Sequence, residues 1–265
     1  MGTVIIQSLT TEKPISVMGM EAGICWGGDV TDEEKNYKRG LDCLQSGHLR
    51  TAEYPQVYMV LDGYSARVIR EFYTHIAGGP TRLQASTRYI DYKDFNCIVP
   101  PKVSKSSSAT MAYLEAIENT QTTLQTLEKA GIPKEDSANL LPLGMATRVV
   151  VRTNLRNLID MAHQRLCSRA YWEFRVLMND IIEELAYYSD EWEILIRQHK
   201  IFKPKCAVCG YCEEKNSCGA YPTKEQNDDF VKYGKLFTKK DFKSLLVFLT
   251  DEDKQNLVKL LSLEK

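Results

Sequence analysis

The chain has no apolar run approaching the ~20 residues that a membrane-spanning helix requires, and its N-terminus has neither the basic start nor the apolar stretch of a secretory signal. A cytoplasmic location is the expectation. Charge of one sign is also missing. With 34 basic residues against 35 acidic ones and a net charge of -1, there is no overall field to hold a polyanion by counterion release. Neither a membrane nor nucleic acid is an expected partner. The glycines do not have the spacing of a P-loop or a dinucleotide fingerprint, no Ser, Cys or Thr sits in a nucleophile motif, and there is no internal repeat. Covalent catalysis by the protein therefore has no evident carrier.

What is present is ordinary globular material: 265 residues, 43% hydrophobic and 26% charged, enough to bury a core. Val57, Met59 and Leu61 alternate with Tyr58 and Val60 as a strand that should stop at Asp62-Gly63. Ser65 can then cap a helix with Val68, Ile69 and Phe72 on one face and His75 near its end; a loop should follow, and residues 88 to 98 read as another strand. After Pro100-Pro101 and a Ser-rich linker, Met111, Leu114, Ile117, Leu124 and Leu127 mark a helical face ending near Gly131. Val149–Val151 is β-prone. Asn154 can cap a helix that buries Leu155, Leu158, Ile159 and Ala162, and a longer helix is expected from Ser168. Two short helices are expected at about 231 to 247 and 250 to 263. Strands and helices without regular alternation imply an α+β fold.

The sharpest local signal is arginine: six Arg and no Lys between Arg148 and Arg175. Arg holds phosphate or carboxylate at two points, as Lys cannot, although a solvated face of ion pairs accounts for the same composition. Arg156, Asp160 and His163 lie on one polar helix face beyond Asn154, an arrangement suited to an anion. A second constellation runs from His75 to Arg88, where Gly78 and Gly79 permit close backbone approach and Ser86 and Arg88 offer phosphate donors. A surface turn has the same Gly-Gly-Pro composition.

The segment Leu141–Glu173 closely resembles the C-terminal half of flavin-dependent thymidylate synthases, with an L-P-L stretch leading through Asn154-x-Arg156 to Arg165 and a Trp172-Glu173 pair. Gly47-His48 with Glu53 is similar to that family's G-H-x-x-x-x-E element, and Ser86-x-Arg88-Tyr89 to the end of its signature motif; the likeness spans about residues 3 to 200. It implies a mainly antiparallel sheet flanked by helices, and a flavoprotein methyltransferase of dTMP biosynthesis. Such an enzyme converts dUMP to dTMP with FAD, methylenetetrahydrofolate as carbon donor and NADPH as reductant, in a homotetramer with sites between subunits. No enzyme nucleophile is needed, in agreement with the absence of one. By the same resemblance, Arg165 is the catalytic contact to uracil. Glu71, Thr74, Gln84, Ser86 and Arg88 join it in binding dUMP, while His48, Arg50, Glu53, His75, Arg82, Asn154, Arg156 and Asp160 bind FAD.

The departures are specific. The family's R-H-R is here Thr74-His75-Ile76, two extra residues precede Ser86, Glu71 stands for a usual Gln, and Ala138 for an Arg. Arg82, inside the insertion, can return one guanidinium to the site. Rebuilt contacts, a related outcome such as hydroxymethylation of a pyrimidine nucleotide, and a non-catalytic nucleotide-binding relative all fit these changes. Beyond the resemblance, Cys206, Cys209, Cys212 and Cys218 have ligand-like spacing in an extension from residue 201 to 265. Structural zinc, an iron–sulfur cluster, reduced thiols and a labile disulfide are the alternatives there.

Overall fold

A computed structural model describes residues 2–228, so the two helices expected beyond 231 lie outside the described residues. The chain divides into a first compact unit, Met1–Lys205, and a second that begins at Cys206.

The first unit is an α+β structure around a four-stranded sheet of order β1-β2-β4-β3, antiparallel throughout. Its strands are β1 (Thr3–Ile6), β2 (Gln56–Ser65), β3 (Thr81–Gln84) and β4 (Ala146–Asn154). Alternation decides which way the two central strands face. Val57, Met59 and Leu61 of β2 are buried with Val149 and Val151 of β4, and Met59 pairs with Val151 and Leu61 with Val149. Asp62-Gly63 does not end β2. The register shifts there as a bulge, Gly63 takes φ +76°, and Tyr64 and Ser65 go on to pair with Thr147 and Ala146.

Helices α1 (Pro14–Cys25), α3 (Ala66–Phe72), α7 (Leu155–Arg165) and α8 (Trp172–Tyr188) contribute to the core with the buried side of the sheet. α2 (Glu33–Gln45) packs on α1. Ser65 Oγ accepts from Val68 N at 3.1 Å and Asn154 Oδ1 from Asn157 N at 2.8 Å, so both expected caps form. The long helix expected from Ser168 starts instead at Trp172. Its Phe174, Leu177, Met178, Ile181 and Leu185 are wholly buried, together with Trp192 just after α9 begins (Asp190–Glu193).

Residues 88 to 98 do not form the expected strand. Their backbone closes local turns, Ile90 N to Ser86 O at 3.1 Å and Phe95 N to Tyr92 O at 3.2 Å, with an isolated bridge from Cys97 to Met145. The free edge of β4 is taken by β3, which arises from residues expected to be loop. After the short α4 (Pro101–Ser104), α5 (Ser107–Lys129) buries Leu124 against Phe95 and Met145 in a separate small core, but leaves Met111 and Leu114 exposed. The turn of helix α6 (Lys134–Ser137) follows it. No helix among the described residues is long and apolar enough to cross a membrane.

α10 (Lys205–Cys209) begins on the last residue of the first unit, and in the second unit Cys212 N donates to Pro222 O at 2.7 Å and Lys224 N to Cys212 O at 3.1 Å.

Candidate active site

Three elements converge on Arg165, the last residue of α7. Its Nε donates to His75 Nε2 at 2.9 Å, its Nη1 to Glu71 Oε2 at 3.2 Å, and its guanidinium lies 4.6 Å from the centroid of the Phe174 ring of α8. The cation is thus fixed on two edges and one face. It remains 20% exposed, and its Nη2 has no partner among the described residues.

His75 is 8% exposed and meets Phe174 edge-on at 5.6 Å. Burial first, then the charges of Arg165 and Arg82, push its pKa down to about 4. It is therefore a neutral ring that accepts at Nε2 and carries its proton on Nδ1.

Arg82 reaches back from β3 to this cluster. Its guanidinium donates to the His75 carbonyl and, at 3.4 Å, to the Tyr73 carbonyl, and it lies 5.1 Å from the centroid of the Tyr73 ring. Burial lowers its pKa, and its Nε is buried with no hydrogen-bond partner. Such an orphaned donor marks a place for an acceptor the protein does not itself supply.

The loop between His75 and β3 is shaped by Gly78, at φ +70°. A Cβ there would lie 2.3 Å from Asn154 Nδ2, so only glycine lets this loop close over the start of α7. Asn154 itself is buried and serves as the cap of α7. On the same helix Arg156 Nε donates to Asp160 Oδ2 at 3.1 Å, both side chains being half-exposed. The 3-10 turn Leu49–Glu53 lies beside that helix start, tied by the bond from Leu155 N to Pro55 O at 3.0 Å. Arg50 and Glu53 are exposed on it, and His48 is exposed just before it. Exposed guanidinium and imidazole donors near one helix start suit an anionic, hydrogen-bonding cofactor, so this donor set and the orphaned Arg82 Nε fit a dinucleotide flavin.

Ser86 and Arg88 form a separate turn. Ser86 Oγ accepts from Arg88 N at 3.2 Å, Arg88 Nε donates to Glu135 Oε2 at 2.9 Å, and Gln84 Nε2 reaches Thr147 Oγ1 at 3.3 Å. Thr74 Oγ1 donates to Glu71 O at 2.7 Å.

The structure thus gathers Glu71, His75, Arg82 and Arg165, and sets His48, Arg50 and Glu53 beside the helix of Asn154, Arg156 and Asp160. It does not bring the four clustered cysteines together as a ligand set. Among the described residues no group of three or more His, Cys, Asp or Glu side chains is placed to hold a metal ion. Cys212 is instead buried in its own backbone ladder, and Cys209 Sγ donates to Tyr211 O at 3.1 Å.

Sequence reasoning missed Arg67 and Arg70, which with Glu71, Thr74 and Leu143 line an open cavity of about 440 Å³. The signal is in the spacing: Arg67 precedes Glu71, and Arg70 precedes Thr74, by four residues, about one helical turn along α3 and the turn that ends it.

The profile of the family described as thymidylate synthase complementing protein matches residues 8–188. A flavin-dependent thymidylate synthase of Clostridium tetani is 26% identical over 233 residues, 79% of this chain and 90% of that one. One from Saccharolobus solfataricus is 32% identical over 185 residues, 68% of this chain and 66% of its own. One from Pyrococcus furiosus is 26% identical over 217 residues, covering 78% and 87%. The chain belongs to the flavin-dependent thymidylate synthase family. It is an enzyme of that family, and the cluster around Arg165 lies inside the matched region.

Proposed function

We propose that the protein methylates dUMP to dTMP, with FAD as cofactor, methylenetetrahydrofolate as carbon donor and NADPH as reductant, in a cytoplasmic homotetramer. The observation that carries this reading is the immobilised Arg165: a half-enclosed guanidinium with one edge unspent, aimed by a neutral histidine and a carboxylate. A fixed cation of this kind stabilises negative charge on the uracil ring without reorganising as that charge develops. His75 takes no part as an acid; besides its place among the flavin contacts it aims the guanidinium, and its depressed pKa keeps it an acceptor at neutral pH. The reduced flavin supplies the electrons of the methylation.

In this reading Glu71, Thr74, Gln84, Ser86 and Arg88 bind the nucleotide with Arg165. His48, Arg50, Glu53, His75, Arg82, Asn154, Arg156 and Asp160 hold the flavin, and residues 201–265 stand outside the catalytic domain 1–200. The protein needs only to bind, orient and polarise, which agrees with a chain that offers no nucleophile motif.

The test is the visible spectrum of the purified protein, reconstituted with FAD and then titrated with dUMP. A bound-flavin spectrum that shifts on dUMP addition, and dTMP formation that R165A abolishes while flavin stays bound, are the expected results. A protein that takes up no flavin overturns the reading.

A further inference from the structure

Thr74 and Ile76 stand where the resemblance calls for two arginines, yet the cavity beside Arg165 is not short of cations. Arg67 and Arg70 line it together with Glu71, whose carboxylate is bonded to Arg165. Neither Arg67 nor Arg70 has a carboxylate partner among the described residues. Arg67 is nonetheless held, its guanidinium 4.3 Å from the centroid of the Tyr171 ring. Arg88, the expected phosphate contact, is already paired with Glu135. The cavity and Arg165 together present three guanidinium groups against one carboxylate, a net charge of +2. A phosphate monoester carries roughly -1.5 to -2 near pH 7 and accepts from guanidinium forks.

We propose that Arg67 and Arg70 hold the 5′-phosphate of the pyrimidine nucleotide, placing its base against Arg165. The anion-binding function that Thr74 and Ile76 cannot perform is supplied one to two turns earlier, from the helix face rather than from the signature motif. This rests on the nucleotide-enzyme reading above. It adds two residues that neither the motif nor the sequence pattern assigns.

The experiment is calorimetric titration of the FAD-loaded full chain with dUMP and, separately, with deoxyuridine, for wild type, R70A, R67A/R70A and R67K/R70K. Arg70 is exposed on the cavity wall, so R70A removes its charge from the site. It should raise the dUMP Kd roughly 10-fold, and R67A/R70A roughly 30-fold or more, with the deoxyuridine Kd within about 2-fold of wild type. R67K/R70K, which keeps the charge and loses the fork, should fall between. Unchanged dUMP affinity in R67A/R70A overturns the proposal and leaves the enzyme reading intact. Equal loss for dUMP and deoxyuridine overturns it too, as damage to the base site, and so does a loss of FAD affinity with dUMP binding unchanged. A wild-type protein that binds no dUMP overturns the reading and the proposal together.

Discussion

At His75 the chain keeps an imidazole that stays uncharged near neutral pH. Burial and two neighbouring guanidinium groups hold its pKa at about 4, below the ordinary 6.5. The unfolded chain therefore binds a proton between those values that the folded chain does not, so the stability tied to this residue is complete above pH 6.5 and is lost as pH falls toward 4. From pH 7 to pH 5 the loss is about 2 kcal/mol. Urea unfolding of wild type and H75Q at both pH values should show that difference shrinking in the variant; equal pH dependence would mean the histidine is not buried neutral. Arg82 invites a second measurement. Its orphaned Nε and its bond to the His75 carbonyl make R82A an expected loss of roughly 10-fold in FAD affinity, read by flavin fluorescence. Residues such as Ser65 and Asn154 were legible beforehand because a cap is a local event, settled within three residues. The role of Phe174 was not, because it depends on which distant side chains, Arg165 and His75, the fold sets against its ring.

Asn154 and Glu173 carry the argument at the level of elements. Asn154 both caps α7 and lies under the Gly78 loop, so its contribution to the helix and to a ligand need separating. N154A should cost about 1 kcal/mol through the cap, while N154S restores stability because serine also caps. If flavin affinity returns with N154S, the amide serves the helix alone; if it stays weak, the amide touches the cofactor. Glu173, 3% exposed, accepts from Ser65 N at 2.7 Å, Ser65 Oγ at 2.5 Å and Tyr171 OH at 3.2 Å, so it ties the end of β2 to the first turn of α8. E173A leaves a buried N–H unpaired and should lower stability by roughly 2–4 kcal/mol, seen as a falling urea midpoint. The major strands, α3, α7 and the buried face of α8 were readable because their periods are strong. β3 and residues 88 to 98 were not. Both are short and mixed in pattern, and the edge of β4 has room for one of them, a competition that no local window contains.

For the whole molecule, the informative surface is the side of the sheet away from the helices. An antiparallel sheet with one wet face ordinarily alternates polar residues onto it. Here Ile5, Val60, Val150 and Leu83 pair in register across all four strands, and Ile5 is 54%, Val150 40% and Leu83 74% exposed. Such a row is costly to leave in water, and another copy of the chain can cover it. The homotetramer proposed above would supply that copy. Sedimentation velocity should therefore give four times the 30.2 kDa chain mass, and V150E, which places a charge in the middle of the row without touching the buried side of β4, should shift the protein to smaller species. The folded subunit should survive, since Val150 packs into no core cluster among the described residues and β4 keeps both its ladders. Circular dichroism separates disassembly from unfolding. A tetramer unchanged by V150E would mean that assembly uses another surface, such as the Met111 and Leu114 side of α5, and that the open sheet face stays in water.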